Sequence, residues 1–132
     1  MKPRTILLAA GFFGATGVAL GAFGAHALRT MLTEFMTRDR WETAVFYQLV
    51  HAVALFVAAT WSRRFPGSGS SRIAWAARFW TAGICLFSGS LYLLSVTLNA
   101  PLWFKIAIPP LGGTAFVAGW LCIVAAAFGK EE

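Results

Sequence analysis

The chain alternates between long stretches free of charge and short clusters of charged and turn-forming residues. No Asp, Glu, Lys or Arg falls between Arg4 and Arg29, between Glu42 and Arg63, between Arg78 and Lys105, or between Lys105 and Lys130. Each stretch can hold the roughly 20 apolar residues that cross a ~30 Å hydrocarbon core, so four transmembrane helices are expected, at about residues 5–25, 41–61, 79–98 and 109–128. Between the first two, Leu28, Met31, Leu32, Phe35 and Met36 recur at i, i+3, i+4, i+7 and i+8, with Arg29, Thr33 and Glu34 elsewhere round the wheel. That pattern predicts a short amphipathic helix lying in the interface. Asp39, with Glu42 three residues on, reads as the N-cap of the second span. Arg63, Arg64 and the run Pro66-Gly67-Ser68-Gly69-Ser70-Ser71 read as a flexible basic loop. Asn99-Ala100-Pro101 ends the third span. Pro109 and Pro110 fit the first turn of the fourth, where a missing N–H leaves no bond unmade.

Within the spans, small residues fall on helical faces. Gly14, Gly17, Gly21 and Gly24 recur at steps of three and four, and Gly112, Ala115, Gly119, Cys122 and Ala126 do the same in the fourth span. Such faces let a neighbouring backbone approach closely, either within the chain or between copies. The first span could also be read as a cleavable signal peptide, with Lys2 and Arg4 before it and Ala25-His26-Ala27 after it. Its apolar stretch exceeds the ~7–15 residues of a signal core, and a discarded segment needs no packing face, so it is read as retained.

Composition agrees with a membrane chain of one domain. Of 132 residues, 58% are hydrophobic and 12% charged, too little charge to cover a soluble surface. The net charge of +6 does not point to nucleic acid, because the basic residues sit at span ends and leave no basic element free for a groove. They act instead as an orientation signal and an attraction to anionic headgroups. Lys2, Arg4, Arg63, Arg64, Arg72, Arg78 and Lys130 share one side, and Arg29, Arg38, Arg40 and Lys105 the other. The positive-inside rule then places both termini in the cytoplasm. Trp41, Trp61, Trp75, Trp80 and Trp103 fall near span ends, where an aromatic belt would put them, and Trp120 alone lies deeper.

The residues able to carry chemistry are few. His51 sits near the midpoint of the second span, where an ionisable group normally faces the bundle interior. Tyr47 and Gln48 lie one turn away on the same side. Thr81, Cys85, Ser88, Tyr92 and Ser95 form a second polar stripe on the third span. Matching depths on antiparallel spans puts Ser88 opposite His51 and Tyr92 opposite Gln48. Tyr47, Gln48, His51, Ser88 and Tyr92 therefore form the candidate polar site, read either as a small cavity or as interhelical hydrogen bonding. His26 lies near the outer interface, too far in depth from His51 to share a haem, and no catalytic triad, carboxylate pair or metal-ligand spacing occurs. Cys85 and Cys122 reach similar depths and can approach each other, but buried cysteine is usually packing. No cofactor or metal is expected.

Four blocks resemble a known family: GAFGAHAL at Gly21–Leu28, WETAVFYQLVHAVALF at Trp41–Phe56, FSGSLYLL at Phe87–Leu94 and PPLGGTAFVAGW at Pro109–Trp120. In this order they are similar to the YgdD-like family of small membrane proteins, also known as domain of unknown function 423. The resemblance implies a four-span inner-membrane protein with a retained first helix and no established activity. It marks His26, Tyr47, Gln48, His51, Ser88, Tyr92, Gly112 and Gly113 as motif positions without giving them roles. The expectation is thus an all-α, integral membrane four-helix bundle, non-enzymatic, acting by helix packing or partner binding. Its candidate partners are membrane lipids, a second copy of the chain or another membrane protein. A small channel or transporter built around Gln48 and His51 is the alternative.

Overall fold

In the computed structural model, residues 1–32, 35–67, 70–97 and 99–128 are described, with the side chains of Phe35 and Met36 left aside. Four helical segments are long and apolar enough to cross a membrane. They comprise α1 (Pro3–Ala25), α2 (Phe35–Arg64), a third span and α5 (Leu102–Ala127). The third span is itself composite, with α3 (Ser70–Gly83) joined to α4 (Gly89–Val96) through the π-helical turn Ile84–Ser88. At 1.5 Å per residue these segments measure about 35–45 Å, longer than the ~30 Å hydrocarbon core, so their ends reach the headgroup layer.

The helices therefore extend beyond the uncharged stretches. Charge marks where lipid ends, but a helix can continue into water as long as its hydrogen bonds are kept. α2 starts at Phe35, so Asp39 lies inside it and is not its N-cap. Glu42 pairs instead with Arg38 one turn back, at 2.9 Å, as i, i+4 opposite charges do on a helix surface. α3 starts at Ser70 and shortens the expected basic loop. α5 starts directly after Pro101, which leaves Pro109 and Pro110 inside the helix rather than in its first turn. Two N–H groups are thus missing from its second and third turns, near the end where headgroups and water can serve the freed carbonyls.

The short amphipathic helix between the first two spans is replaced by turns. Residues 26–31 form turns closed by Leu28 N–H to Phe23 O at 3.0 Å and Leu32 N–H to Leu28 O at 2.8 Å. Leu32 is buried while Met31 is exposed. The apolar stripe is divided because α2 takes its second half, starting at Phe35. Thr33 and Glu34, the rest of that pattern, lie outside the described residues, as do Leu98 at the end of the third span and Lys130 in the orientation count.

The bundle is open along one side. α1 packs on α2, α2 packs on the third span, and the third span packs on α5, whereas α2 and α5 have no close backbone approach. The apolar core joins Ile6 and Ala10 of α1, Leu55, Ala58 and Ala59 of α2, Ile73, Ala76, Ala77 and Trp80 of α3, and Phe116 of α5.

Glycine sets the spacing at each contact. A Cβ on Gly17 would stand 2.7 Å from Leu49 Cδ2 of α2, one on Gly21 would stand 3.2 Å from Val45 Cγ1, and one on Gly24 would run into the Trp41 indole. Gly14 does not join them, since a Cβ there meets nothing within 4 Å. At 100° per residue it stands roughly 60–80° off the line through Ile6, Gly17 and Gly24 that faces α2. On α5, Gly119 lies under the Trp80 indole, and Gly112 faces the π-helical turn itself. Two of the expected belt tryptophans, Trp41 and Trp80, are consequently buried between helices, while Trp61, Trp75 and Trp103 are exposed.

At Gly112 the obstacle is backbone. A Cβ would stand 2.7 Å from Phe87 Cα and 2.8 Å from the Leu86 carbonyl carbon, neither of which can turn away. At Gly113 the nearest atom is 3.9 Å off. We expect Gly112→Ala to destabilise the protein by roughly 1–3 kcal/mol or more, the scale of overpacking, and Gly113→Ala to have little effect. Thermal unfolding in detergent checks the difference.

Candidate functional site

Gln48 is the polar hub of the bundle. It is almost fully buried, and its amide faces two neighbouring helices at once. Nε2 donates to Phe13 O and to Thr16 Oγ1 of α1, both at 2.9 Å. Oε1 accepts from the Tyr92 hydroxyl of α4 at 2.8 Å. Thr16 in turn donates to Phe12 O at 2.7 Å. Depth matching placed Tyr92 opposite Gln48, and the two are bonded. Thr16 was not singled out, although it is the single polar side chain between Ile6 and Ala25 and so was a legible partner.

His51, one turn further along α2, is 3% exposed and belongs to an aromatic layer. Its ring stacks on Phe116 with centroids 3.7 Å apart. Tyr47, Trp80 and Trp120 surround it. Trp120 Nε1 lies 3.2 Å from His51 Nε2, and His51 Nδ1 lies 2.8 Å from Tyr47 O. An indole N–H only donates, so Nε2 is the acceptor and Nδ1 carries the proton it gives to Tyr47 O. Both ring nitrogens are occupied by protein. The signal missed in sequence was Trp120, since an indole N–H deep in a span requires an acceptor.

Ser88 does not enter this arrangement. It is fully buried, yet among the described residues its hydroxyl has no partner, and depth matching with His51 does not translate into a bond. Ser88 lies in the π-helical turn, whose altered pitch redirects side chains relative to a straight helix. Tyr47 packs on Phe87 and Phe116 and is partly exposed. His26 is exposed at the end of α1. Cys85 and Cys122 are both free thiols, and Cys85 is exposed. Among the described residues no group of three or more His, Cys, Asp or Glu could hold a metal ion.

The His51 layer bridges α2 and α5 by side chains alone and divides the open seam between them. On one side lies a cavity of about 580 Å³, lined by Val50, Val53, Val57 and Trp61 of α2, Ile73 and Trp80 of α3, and Trp120 and Ile123 of α5, among others. Every lining side chain is apolar apart from the three indole N–H groups of Trp61, Trp80 and Trp120. The arrangement sets the hydrogen-bonded Gln48 and His51 beside an apolar lateral groove.

Long apolar helices joined by buried amide, phenol and imidazole contacts define a small multi-pass integral membrane protein. The profile of the family described as "Protein of unknown function (DUF423)" matches residues 20–113. The chain belongs to that family. It is 47% identical over 110 residues to the UPF0382 membrane protein YwdK of Bacillus subtilis, covering 83% of this chain and 85% of that one. It is 38% identical over 130 residues to the UPF0382 inner membrane protein YgdD of Escherichia coli, covering 96% and 92%. A UPF0382 membrane protein of Haemophilus influenzae is 36% identical over 132 residues, covering 99% and 97%. No solved structure matches the chain.

The Gln48 bonds should be measurable as a unit. Interhelical bonds in membrane bundles average ~0.6 kcal/mol with a maximum near 1.7 kcal/mol. Tyr92→Phe, which removes one bond, is expected to cost about 0.6 kcal/mol, and Gln48→Leu, which removes three, about 1–2 kcal/mol. In the double variant the costs should add to less than their sum, as read from unfolding in mixed micelles.

Proposed function

We propose that the chain is a non-enzymatic lipid-binding protein of the plasma membrane, taking one acyl chain of an anionic phospholipid into the groove between α2 and α5. The observation that carries this reading is the length of the groove. From Val50 to Trp61 it follows α2 for about 16 Å at 1.5 Å per residue, close to half of a ~30 Å core. That is the depth of one leaflet and suits a single lipid chain. A partner helix would need a face running through the whole core.

Charge at the mouth of the groove favours the same occupant. Arg64 continues the α2 face of Val50, Val53, Val57 and Trp61, at steps of three and four. Arg72 reaches across to Ala125 O at the end of α5, at 2.9 Å. Both belong to the side that the excess of Lys and Arg assigns to the cytoplasm, whose leaflet is rich in anionic lipid. Both chain termini are on that side in this reading.

Other readings have less support. Gly17, Gly21, Gly24, Gly112 and Gly119 pack within one chain, so these faces are not free to pair copies. A channel or transporter around Gln48 and His51 would require polar atoms that can exchange partners with a solute, and those atoms are engaged with protein. The same engagement argues against catalysis by either residue.

The test is native mass spectrometry of protein re-lipidated with phosphatidylglycerol or phosphatidylcholine. Val57 is more than half exposed, so Val57→Trp fills the groove without entering the core. It is expected to lower phosphatidylglycerol retention about tenfold, equivalent to ~1.4 kcal/mol. Arg64→Gln should reduce the preference for phosphatidylglycerol over phosphatidylcholine. Undiminished retention by Val57→Trp would remove the groove reading.

A further inference from the structure

The other half of the seam has different chemistry. Beyond the His51 layer, towards the start of α2, Thr37 and Arg40 of α2, Leu91, Leu94 and Thr97 of the third span's end, and Lys105 of α5 line a cavity of about 290 Å³. Leu91, Leu94 and Pro109 form an apolar wall, and Thr37, Arg40, Thr97 and Lys105 bring two cations and two hydroxyls. Among the described residues no acidic side chain lines it. Among the described residues neither Arg40 nor Lys105 has an ion-pair partner, whereas nearby Arg38 is paired with Glu42 at 2.9 Å.

Two like charges facing one cavity repel, and the cost rises as the surroundings become less polar. An anion between them turns that repulsion into two attractions. Hydroxyl and guanidinium donors then suit a tetrahedral oxyanion, since Arg offers a planar fork and Lys a compact charge. A water occupies about 30 Å³ of liquid, so the cavity has room for an oxyanion with part of its hydration shell. It lies where α2 and α5 begin, at headgroup depth and on the surface opposite Arg64 and Arg72.

We infer that this cavity is a binding site for a phosphate-class oxyanion, held by Arg40 and Lys105 with the Thr97 hydroxyl. The ligand chemistry is shared by a lipid phosphodiester and by free phosphate. The site is separate from the acyl-chain groove, and its existence does not depend on that reading.

The experiment titrates full-length protein in a neutral detergent at low ionic strength, by calorimetry, with three probes. These are inorganic phosphate, dihexanoyl phosphatidylglycerol and dihexanoyl phosphatidylcholine. Saturable binding of either anionic probe is expected, with phosphatidylcholine weaker. Binding of inorganic phosphate shows a free anion to be sufficient, and binding of phosphatidylglycerol alone assigns the site to a lipid headgroup. Arg40→Gln and Lys105→Gln should each weaken anionic binding about tenfold, the scale of a lost charge-assisted hydrogen bond. Lys105 is exposed, so its variant carries the test even where Arg40→Gln does not fold. Val57→Trp should leave anionic binding unchanged. The inference is overturned by no binding of either anionic probe, by equal binding of phosphatidylcholine, by full affinity in Lys105→Gln, or by loss of binding in Val57→Trp.

Discussion

Lipid offers no hydrogen bonds, so each polar atom within a span must find its partner in the protein. In this chain the constraint converges on Gln48. An amide carries two donors and a two-lone-pair acceptor, and α2 holds this one where α1 presents a backbone carbonyl and a hydroxyl while α4 presents a phenol. Three spans are tied at one depth. Because α2 sits between α1 and the third span, the Gln48 contacts lock both to it and leave α5 to be placed separately. α5 is placed by backbone proximity at Gly112, by the Trp80 indole over Gly119, and by His51.

The number of spans was legible because hydrocarbon thickness converts directly into a length of uncharged sequence. Helix ends were not, for the same reason: lack of charge reports immersion in lipid, and helices obey hydrogen bonds. Arg38–Glu42 supports a turn of α2 that charge alone would have assigned to a loop. α5 runs through Pro109 and Pro110 because its first seven residues from Leu102 already form two turns before the N–H groups are lost. The π-helical turn at Ile84–Ser88 left no periodic trace, since a single widened turn shifts the pattern by one residue over a stretch that is apolar on most sides. Gly112 was legible as a packing residue, but the nature of its neighbour was not.

The candidate site shows the same division. Gln48 with Tyr92 could be read from depth, as both are long polar side chains able to span a helix gap. Ser88 opposite His51 could not, because a short hydroxyl needs the correct azimuth as well as depth, and the π-helical turn changes azimuth. Trp41 and Trp80 were assigned to the interface by position, yet each lies on a glycine of the neighbouring helix, Gly24 and Gly119 respectively. An indole laid on a bare backbone buries a large apolar area and keeps its N–H near carbonyls. Trp41 uses this, donating to Leu20 O at 3.0 Å, while Trp80 Nε1 has no partner among the described residues. The two helix pairs share a packing device but only one is fully satisfied.

The open seam follows from that layout. With α2 and α5 both packed on the third span, and no backbone contact between them, a gap along the bundle is unavoidable unless side chains fill it. His51, Phe116, Trp120 and Tyr47 fill it at one level. Below this layer α2 presents Val50, Val53 and Val57, side chains too short to reach α5, so the gap persists as an apolar groove. Above it, the starts of α2 and α5 place Arg40 and Lys105 on the lining of the second cavity. A histidine at mid-depth is thus explained by geometry before chemistry. It is the one residue on α2 whose ring can stack on Phe116 while its two nitrogens engage Trp120 and Tyr47 O, so that the layer dividing the seam is held from both helices without an unmatched polar atom on the imidazole.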